Sequence, residues 1–155
     1  MVRQPGETAP TFRLDDVDTG ELVTNPWQDG DGAPVAIAFF KVTCPVCQMA
    51  APVVQALADA GVRVTAIGED PAPALRAYAE RWGQRVPTVS EPPPYRVSGA
   101  YGVRTVPTVF LVGADGVVIR TAQGWDREGW NAVATAAGAP PVSHDGDGLP
   151  SFRPG

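Results

Sequence analysis

The sequence predicts an α/β fold in which a mixed central β-sheet carries helices on both faces and opens with an N-terminal β-hairpin. Three observations predict it. Val35-Ala36-Ile37-Ala38-Phe39-Phe40 is an unbroken apolar run of strand length, as expected of a strand buried on both faces. Val62 to Ile67 is a second such run, and the segment between the two has helical periodicity. Later, Val106 to Val112 and Val117 to Arg120 flank Ala114-Asp115-Gly116, a tight-turn signal that makes them an antiparallel pair. Parallel crossovers followed by a hairpin give a mixed sheet.

Taken in order, Thr11 to Asp15 alternates as a half-buried strand does. Asp18-Thr19-Gly20 turns it back onto Glu21-Leu22-Val23. Asp29-Gly30-Asp31-Gly32 is a solvated loop before the buried run. Val46, Met49, Ala50, Val53 and Leu57 form the inward stripe of a helix ending near Gly61, with Pro52 expected to kink it. Ala72 to Trp82 is a second helix, entered at Asp70-Pro71. Glu91-Pro92-Pro93-Pro94 is too stiff for a central strand, and a short helical segment ends near Tyr101-Gly102. Trp125, Trp130, Val133 and Ala137 suit a terminal helix, and the four tryptophans, Trp27 and Trp82 included, read as core or near-core. Residues 1–138 therefore form one domain. The Pro-, Gly- and Asp-rich residues 139–155 offer little to bury and are expected to be a disordered or loosely attached tail.

Composition limits the partners. The chain has 155 residues, enough for one domain with a real core. A net charge of -5 argues against nucleic acid or an anionic membrane. No apolar stretch approaches a bilayer span, and residues 1–7 lack the apolar centre of a signal peptide. A cytoplasmic monomer is expected, or an extracytoplasmic one if the sequence begins downstream of a leader.

The two cysteines stand together as Cys44-Pro45-Val46-Cys47, directly after the buried strand. A helix starting there puts Cys44 at an N-terminus, where free N–H groups and the helix dipole favour a thiolate. A thiolate with a neighbouring thiol is the minimum apparatus of thiol–disulfide exchange: Cys44 attacks and Cys47 resolves. A structural disulfide would close too small a loop to stabilise much. Zinc would need two more ligands, and the only histidine, His144, lies in the tail. No metal and no cofactor is expected, because the disulfide itself carries two electrons.

The chain resembles the thioredoxin-like superfamily, most closely the TlpA/ResA-like thiol–disulfide oxidoreductases. The likeness spans roughly residues 5–138. It rests on Ala9-Pro10-Thr11-Phe12 with Asp18-Thr19-Gly20, on Cys44-Pro45-Val46-Cys47, and on Tyr101-Gly102-Val103-Arg104-Thr105-Val106-Pro107-Thr108. The resemblance implies a thioredoxin-like fold, a cis peptide before Pro107, and substrate docking at Val106 and Pro107 beside Thr43, Pro45 and Val46. Pro52 matches the family's helix-kinking proline. It also implies protein disulfide or thiol substrates and a separate electron donor. Three positions depart from the family. Thr43 replaces a tryptophan and is a candidate helix cap. Ala38 and Ala50 stand where related proteins carry acids, so the resolving thiol's proton must move by another group or by water. Lys41, the nearest cation in sequence, reads as a solvated surface residue.

Two rival readings remain. A peroxiredoxin-like thiol peroxidase needs a threonine three residues before its cysteine and a proline seven before. Here those positions are Lys41 and Ile37 for Cys44, or Cys44 and Phe40 for Cys47, and Pro107 with its neighbours replaces the arginine of the late strand. A non-catalytic binding module would keep the fold and use the sheet edge or the proline-rich segment for docking.

Overall fold

The computed structural model describes residues 1–155. Seven strands form one sheet: β1 (Arg13–Asp16), β2 (Leu22–Thr24), β3 (Val35–Phe40), β4 (Arg63–Gly68), β5 (Thr88–Ser90), β6 (Thr108–Val112) and β7 (Val118–Gln123). Their order is β2-β1-β5-β4-β3-β6-β7. β3, β4 and β5 run parallel, and β1, β6 and β7 are antiparallel to their neighbours. The helices are α1 (Pro45–Asp59), α2 (Ala72–Trp82), α3 (Arg96–Tyr101) and α4 (Arg127–Ala136), with a 3-10 turn at Pro26–Gln28.

β3 divides the interior in two. Ala36, Ala38 and Phe40 face a core completed by α1, α2 and α4, whereas Val35, Ile37 and Phe39 face a second core with Phe12, Trp27, Tyr101 and Phe110. The period of two along a strand makes this division. Phe39, Tyr101 and Phe110 meet with ring centroids 5.0–5.8 Å apart. Gly68, at the end of β4, lets α2 approach closely: a Cβ there would collide with the Leu75 side chain and lie 3.1 Å from Phe40 Cζ. The β7 edge is covered by the N-terminal segment, where Gly6 and Ala9 N–H groups donate to the Val118 and Gly116 carbonyls.

The mixed sheet, the hairpin and helices on both faces agree with the sequence reading, although three helices share one face. The short helix expected to end near Tyr101-Gly102 is α3, and other local features go beyond the sequence reading or differ from it. β5 is a short strand that joins the hairpin to the parallel strands, and α3 follows it from Tyr95, which has a positive φ. Glu91 anchors that helix: 2% exposed, it accepts from the Val97 and Ser98 N–H groups and from the Ser98 hydroxyl. Asp70 does not cap α2. Pro71 occupies the cap position and the Asp70 carboxylate instead takes the Val42 N–H at 2.9 Å. α1 runs through Pro52, which sits on its exposed side. Trp125 precedes α4, in a two-residue strand β8 (Trp125–Asp126).

Residues 139–155 follow a defined path along the domain rather than being disordered, while residues 150–155 stay exposed. Phe152–Arg153 forms a strand, β9, antiparallel to β8. Arg127 donates to Ser143 Oγ, Asp145, Asp147 and the Leu149 carbonyl. Asn131 binds the Val142 and Ser143 backbone, and Trp125 Nε1 donates to the Pro150 carbonyl at 2.6 Å. Hydrogen bonds from Ser143, Leu149 and His144, with the Arg127 charge, hold the Asp147 carboxyl well below the usual range. Composition signals disorder because it counts apolar burial, and this segment, with only Ala139, Val142 and Leu149 against the core, is held mostly by polar groups.

Replacing Glu91 with Ala should strand two N–H groups and a hydroxyl at the start of α3. The expected loss is about 2–4 kcal/mol, read as a lower urea midpoint at unchanged m.

Candidate active site

α1 begins where β3 delivers the chain to the carboxyl end of the sheet. Cys44 is its N-cap, with φ -85° and ψ 114°, and Pro45 occupies the first helical position, where no N–H is needed. Cys44 Sγ accepts the Cys47 N–H at 3.2 Å, so the thiol itself caps the helix. Thr43 lies one residue too early for that role and is exposed. Both cysteines are free thiols.

The two thiols differ in their surroundings. Cys44 is partly exposed, while Cys47 is 2% exposed beneath α1. Burial pushes the Cys47 thiol far above its ordinary range, and its bond with Cys44 and the fields of Cys44 and Glu69 act in the same direction. A hydrogen bond with the Lys41 backbone pulls the other way, more than either field but less than burial. Cys47 is therefore a protonated thiol at neutral pH.

Val106 and Pro107 stand across from Cys44. The Cys44 thiol donates to the Val106 carbonyl at 3.3 Å, and the Val106–Pro107 peptide is cis. The register of β3 against β6 pairs Phe39 with Thr108, which brings the start of β6 beside the end of β3. The segment ahead of α1 is held by the Val42 N–H on Asp70 and by Gln48 Nε2 on the Val42 carbonyl, both at 2.9 Å. The fold thus gathers Cys44, Cys47, Val106 and Pro107 from opposite halves of the chain. Thr43 and Pro45 are exposed beside them, but Val46 turns inward, 5% exposed, and its side chain belongs to the core.

Ala38 and Ala50 are buried, so no acid occupies either position. Two groups missed in the sequence stand near the buried thiol instead. Glu69 follows β4, its N–H bonded to the Phe40 carbonyl, and contributes a negative field at Cys47. Tyr78 stacks on Phe40 at 4.9 Å and is 3% exposed, and its hydroxyl has no hydrogen-bond partner. Burial and the fields of Cys47 and Cys44 push its phenol upward, so it stays a neutral donor. Helical periodicity assigns Tyr78 to the buried face of α2 but cannot show that its hydroxyl lies near the cysteines.

The sequence pattern of the AhpC/TSA family matches residues 5–121, a span that includes both cysteines and Pro107. The chain belongs to the AhpC/TSA family. This AhpC/TSA chain is 28% identical over 124 residues to the thiol-disulfide oxidoreductase ResA of Halalkalibacterium halodurans, covering 77% of this chain and 68% of that protein. It is 31% identical over 118 residues to the ResA of Geobacillus thermodenitrificans, covering 73% and 66%. Among solved structures, the thioredoxin domain of a thiol-disulfide oxidoreductase from Bacteroides vulgatus superposes with a TM-score of 0.72 at 19% identity, covering 87% of this chain and 99% of that domain. The fold is therefore the thioredoxin fold.

Iodoacetamide at pH 8 should label one thiol per native chain, Cys44, and the second only after unfolding, as counted by mass. Because burial raises the Cys47 pKa, raising the pH to about 10 should not expose a second fast-reacting thiolate. Tyr78→Phe, which deletes an unpartnered buried hydroxyl, should leave stability unchanged or raise it by about 1 kcal/mol.

Proposed function

We propose that this protein is a thiol–disulfide oxidoreductase whose working group is the Cys44–Cys47 dithiol/disulfide. The observation that carries this reading is the placement of Cys44: capping α1, partly exposed, and 3.3 Å from the carbonyl of the residue before cis-Pro107. The named relatives at 28% and 31% identity support the same reaction class.

In the reducing direction, the Cys44 thiolate attacks one sulfur of a substrate disulfide. A Cys44–substrate mixed disulfide forms, and the other substrate sulfur leaves as a thiolate. Cys47 then loses its proton and attacks Cys44 Sγ. The Cys44–Cys47 disulfide forms, the second substrate sulfur leaves, and two electrons have passed to the substrate. Oxidation of a substrate dithiol runs the same steps in reverse. The Val106–Pro107 edge receives the substrate backbone, with Thr43 and Pro45 at its border. The Cys47 proton is the demanding part, because no buried carboxylate touches the thiol. Glu69, the phenol of Tyr78 and water are the groups placed to manage it. The partners are protein thiols or disulfides and a separate electron donor.

A peroxidase reading is less well supported. The positions that activate a peroxidatic cysteine are Lys41 and Ile37 ahead of Cys44, and neither supplies a hydroxyl or proline. No helix is long and apolar enough to cross a membrane. The compartment is tied to the direction of electron flow, with a reducing cytoplasm fitting a reductase.

Cys44→Ser should abolish exchange, and Cys47→Ser should trap a mixed disulfide with substrate, visible by non-reducing mass analysis. The Cys44–Cys47 potential, from equilibration in thiol buffers, places the direction. A value near about -270 mV fits a reductase in a reducing compartment, and one near about -120 mV fits an oxidant outside it. Failure to form a reversible intramolecular disulfide would exclude the reading and favour a non-catalytic binding module.

A further inference from the structure

Residues 150–155 take no part in the chemistry just described, yet they end against it. The Pro150 carbonyl accepts the Trp125 indole N–H, the Ser151 carbonyl accepts the Arg127 N–H at 3.0 Å, and Phe152 and Arg153 pair with Asp126 and Trp125. Beyond this pairing the chain passes directly over Gly124, where a Cβ would lie 3.1 Å from Gly155 N and 3.3 Å from the Arg153 carbonyl. Arg153 Nη1 reaches to 4.0 Å from Sδ of Met49, two residues after Cys47. Gly155 then packs on the segment before Pro107 so closely that a Cβ on it would collide with the Val106 carbonyl oxygen and Thr105 Oγ1.

That Val106 carbonyl is the one that accepts the Cys44 thiol. Thr105 Oγ1 is buried and has no hydrogen-bond partner. The covering segment therefore keeps water from a hydroxyl without bonding to it, which opposes tight closure. Its one large apolar side chain, Phe152, is 59% exposed, so hydrophobic burial does not fasten it either. What holds it is the short β8–β9 pairing, the Trp125 indole and Arg127 backbone N–H groups on the Pro150 and Ser151 carbonyls, and, just ahead of it, the polar clasp of Arg127 on Asp145, Asp147 and the Leu149 carbonyl. Few buried apolar contacts and a polar anchor describe a segment able to open locally while the domain stays folded.

We propose that residues 150–155 are a strap that occupies the docking edge beside Val106 and so sets the specificity of the site. Small disulfides reach Cys44 with the strap in place. An extended polypeptide, which needs the same edge for its backbone, must displace it. The strap selects against polypeptide substrates by the fraction of time the edge is covered, since apparent affinity falls in proportion to the open population. The inference rests on the oxidoreductase reading and names which substrates that site admits.

Two variants of the 155-residue chain test it. Arg127→Ala removes the clasp at a distance from the cysteines, and Gly155→Val adds a Cβ where the Val106 carbonyl leaves no room. Release of the strap is read by NMR as faster hydrogen exchange of the Trp125 indole N–H and of the backbone N–H at position 127, which donate to the Pro150 and Ser151 carbonyls. Rate constants are then measured with hydroxyethyl disulfide and with a ten-residue peptide carrying a mixed disulfide at its centre. The expected result is release in both variants, a rise of about five-fold or more in the peptide rate, and a small-disulfide rate within about two-fold of the parent. Release with an unchanged ratio of the two rates would overturn the strap. So would protection of both these N–H groups persisting in both variants, because the segment would then be fixed in place. Exchange with neither disulfide, in the parent and both variants, would overturn the oxidoreductase reading itself and the strap with it.

Discussion

Burial of β3 on both faces is the constraint on which the rest of this structure depends. Six consecutive apolar residues cannot sit at an edge or against solvent, so β4 and β6 flank the strand and cores form above and below it. The parallel pairing with β4 requires a crossover, and α1 is that crossover. The chain must therefore start a helix at the carboxyl end of the strand, where the CxxC motif lies. The antiparallel pairing with β6 sets Thr108 beside Phe39, so the Val106–Pro107 peptide is carried to the same end of the sheet. The meeting of cysteine and proline follows from strand register.

The same burial makes two chemically similar thiols unequal. Cys44 sits where the helix begins and solvent still reaches; Cys47, one turn on, faces the core. Desolvation keeps the inner thiol protonated, which fits the proposed order in which the outer thiol meets substrate first and the inner one resolves the mixed disulfide. With alanine at both positions where related proteins carry acids, the proposed proton handling falls to groups on neighbouring elements. Glu69 stands at the end of β4, and Tyr78 projects from α2 with an unpartnered hydroxyl. Such an orphaned hydroxyl is costly in a core.

The polar segment 139–155 shows a different route to order. Its carboxylates and carbonyls converge on one guanidinium, and Arg127 satisfies them as a planar fork can. Order of this kind depends on a few directional bonds and can be undone locally. A fold built mainly on apolar burial thus carries, at the mouth of its reactive site, an element held mainly by hydrogen bonds.

The sequence by itself determined the elements with strong periodicity or fixed chemistry. The β3 run, the Ala72–Trp82 helix, the hairpin turn at Asp115-Gly116 and the paired cysteines are all local signals, because apolar spacing and turn residues act within a few residues of themselves. The motif at Val106-Pro107 was legible through its resemblance to a known family. Tertiary structure alone decided the rest. Thr88–Ser90 is too short to announce itself as a strand, and only its neighbours β1 and β4 make it one. Asp70 has the residue type of a cap, yet the N–H of Val42, distant in sequence, donates to its carboxylate. Val46 sits between the two cysteines in sequence, but the turn of the helix points it into the core. The partners of Tyr78, Glu69 and residues 150–155 come from distant parts of the chain. Their roles depend on distances in space, which composition and periodicity do not encode.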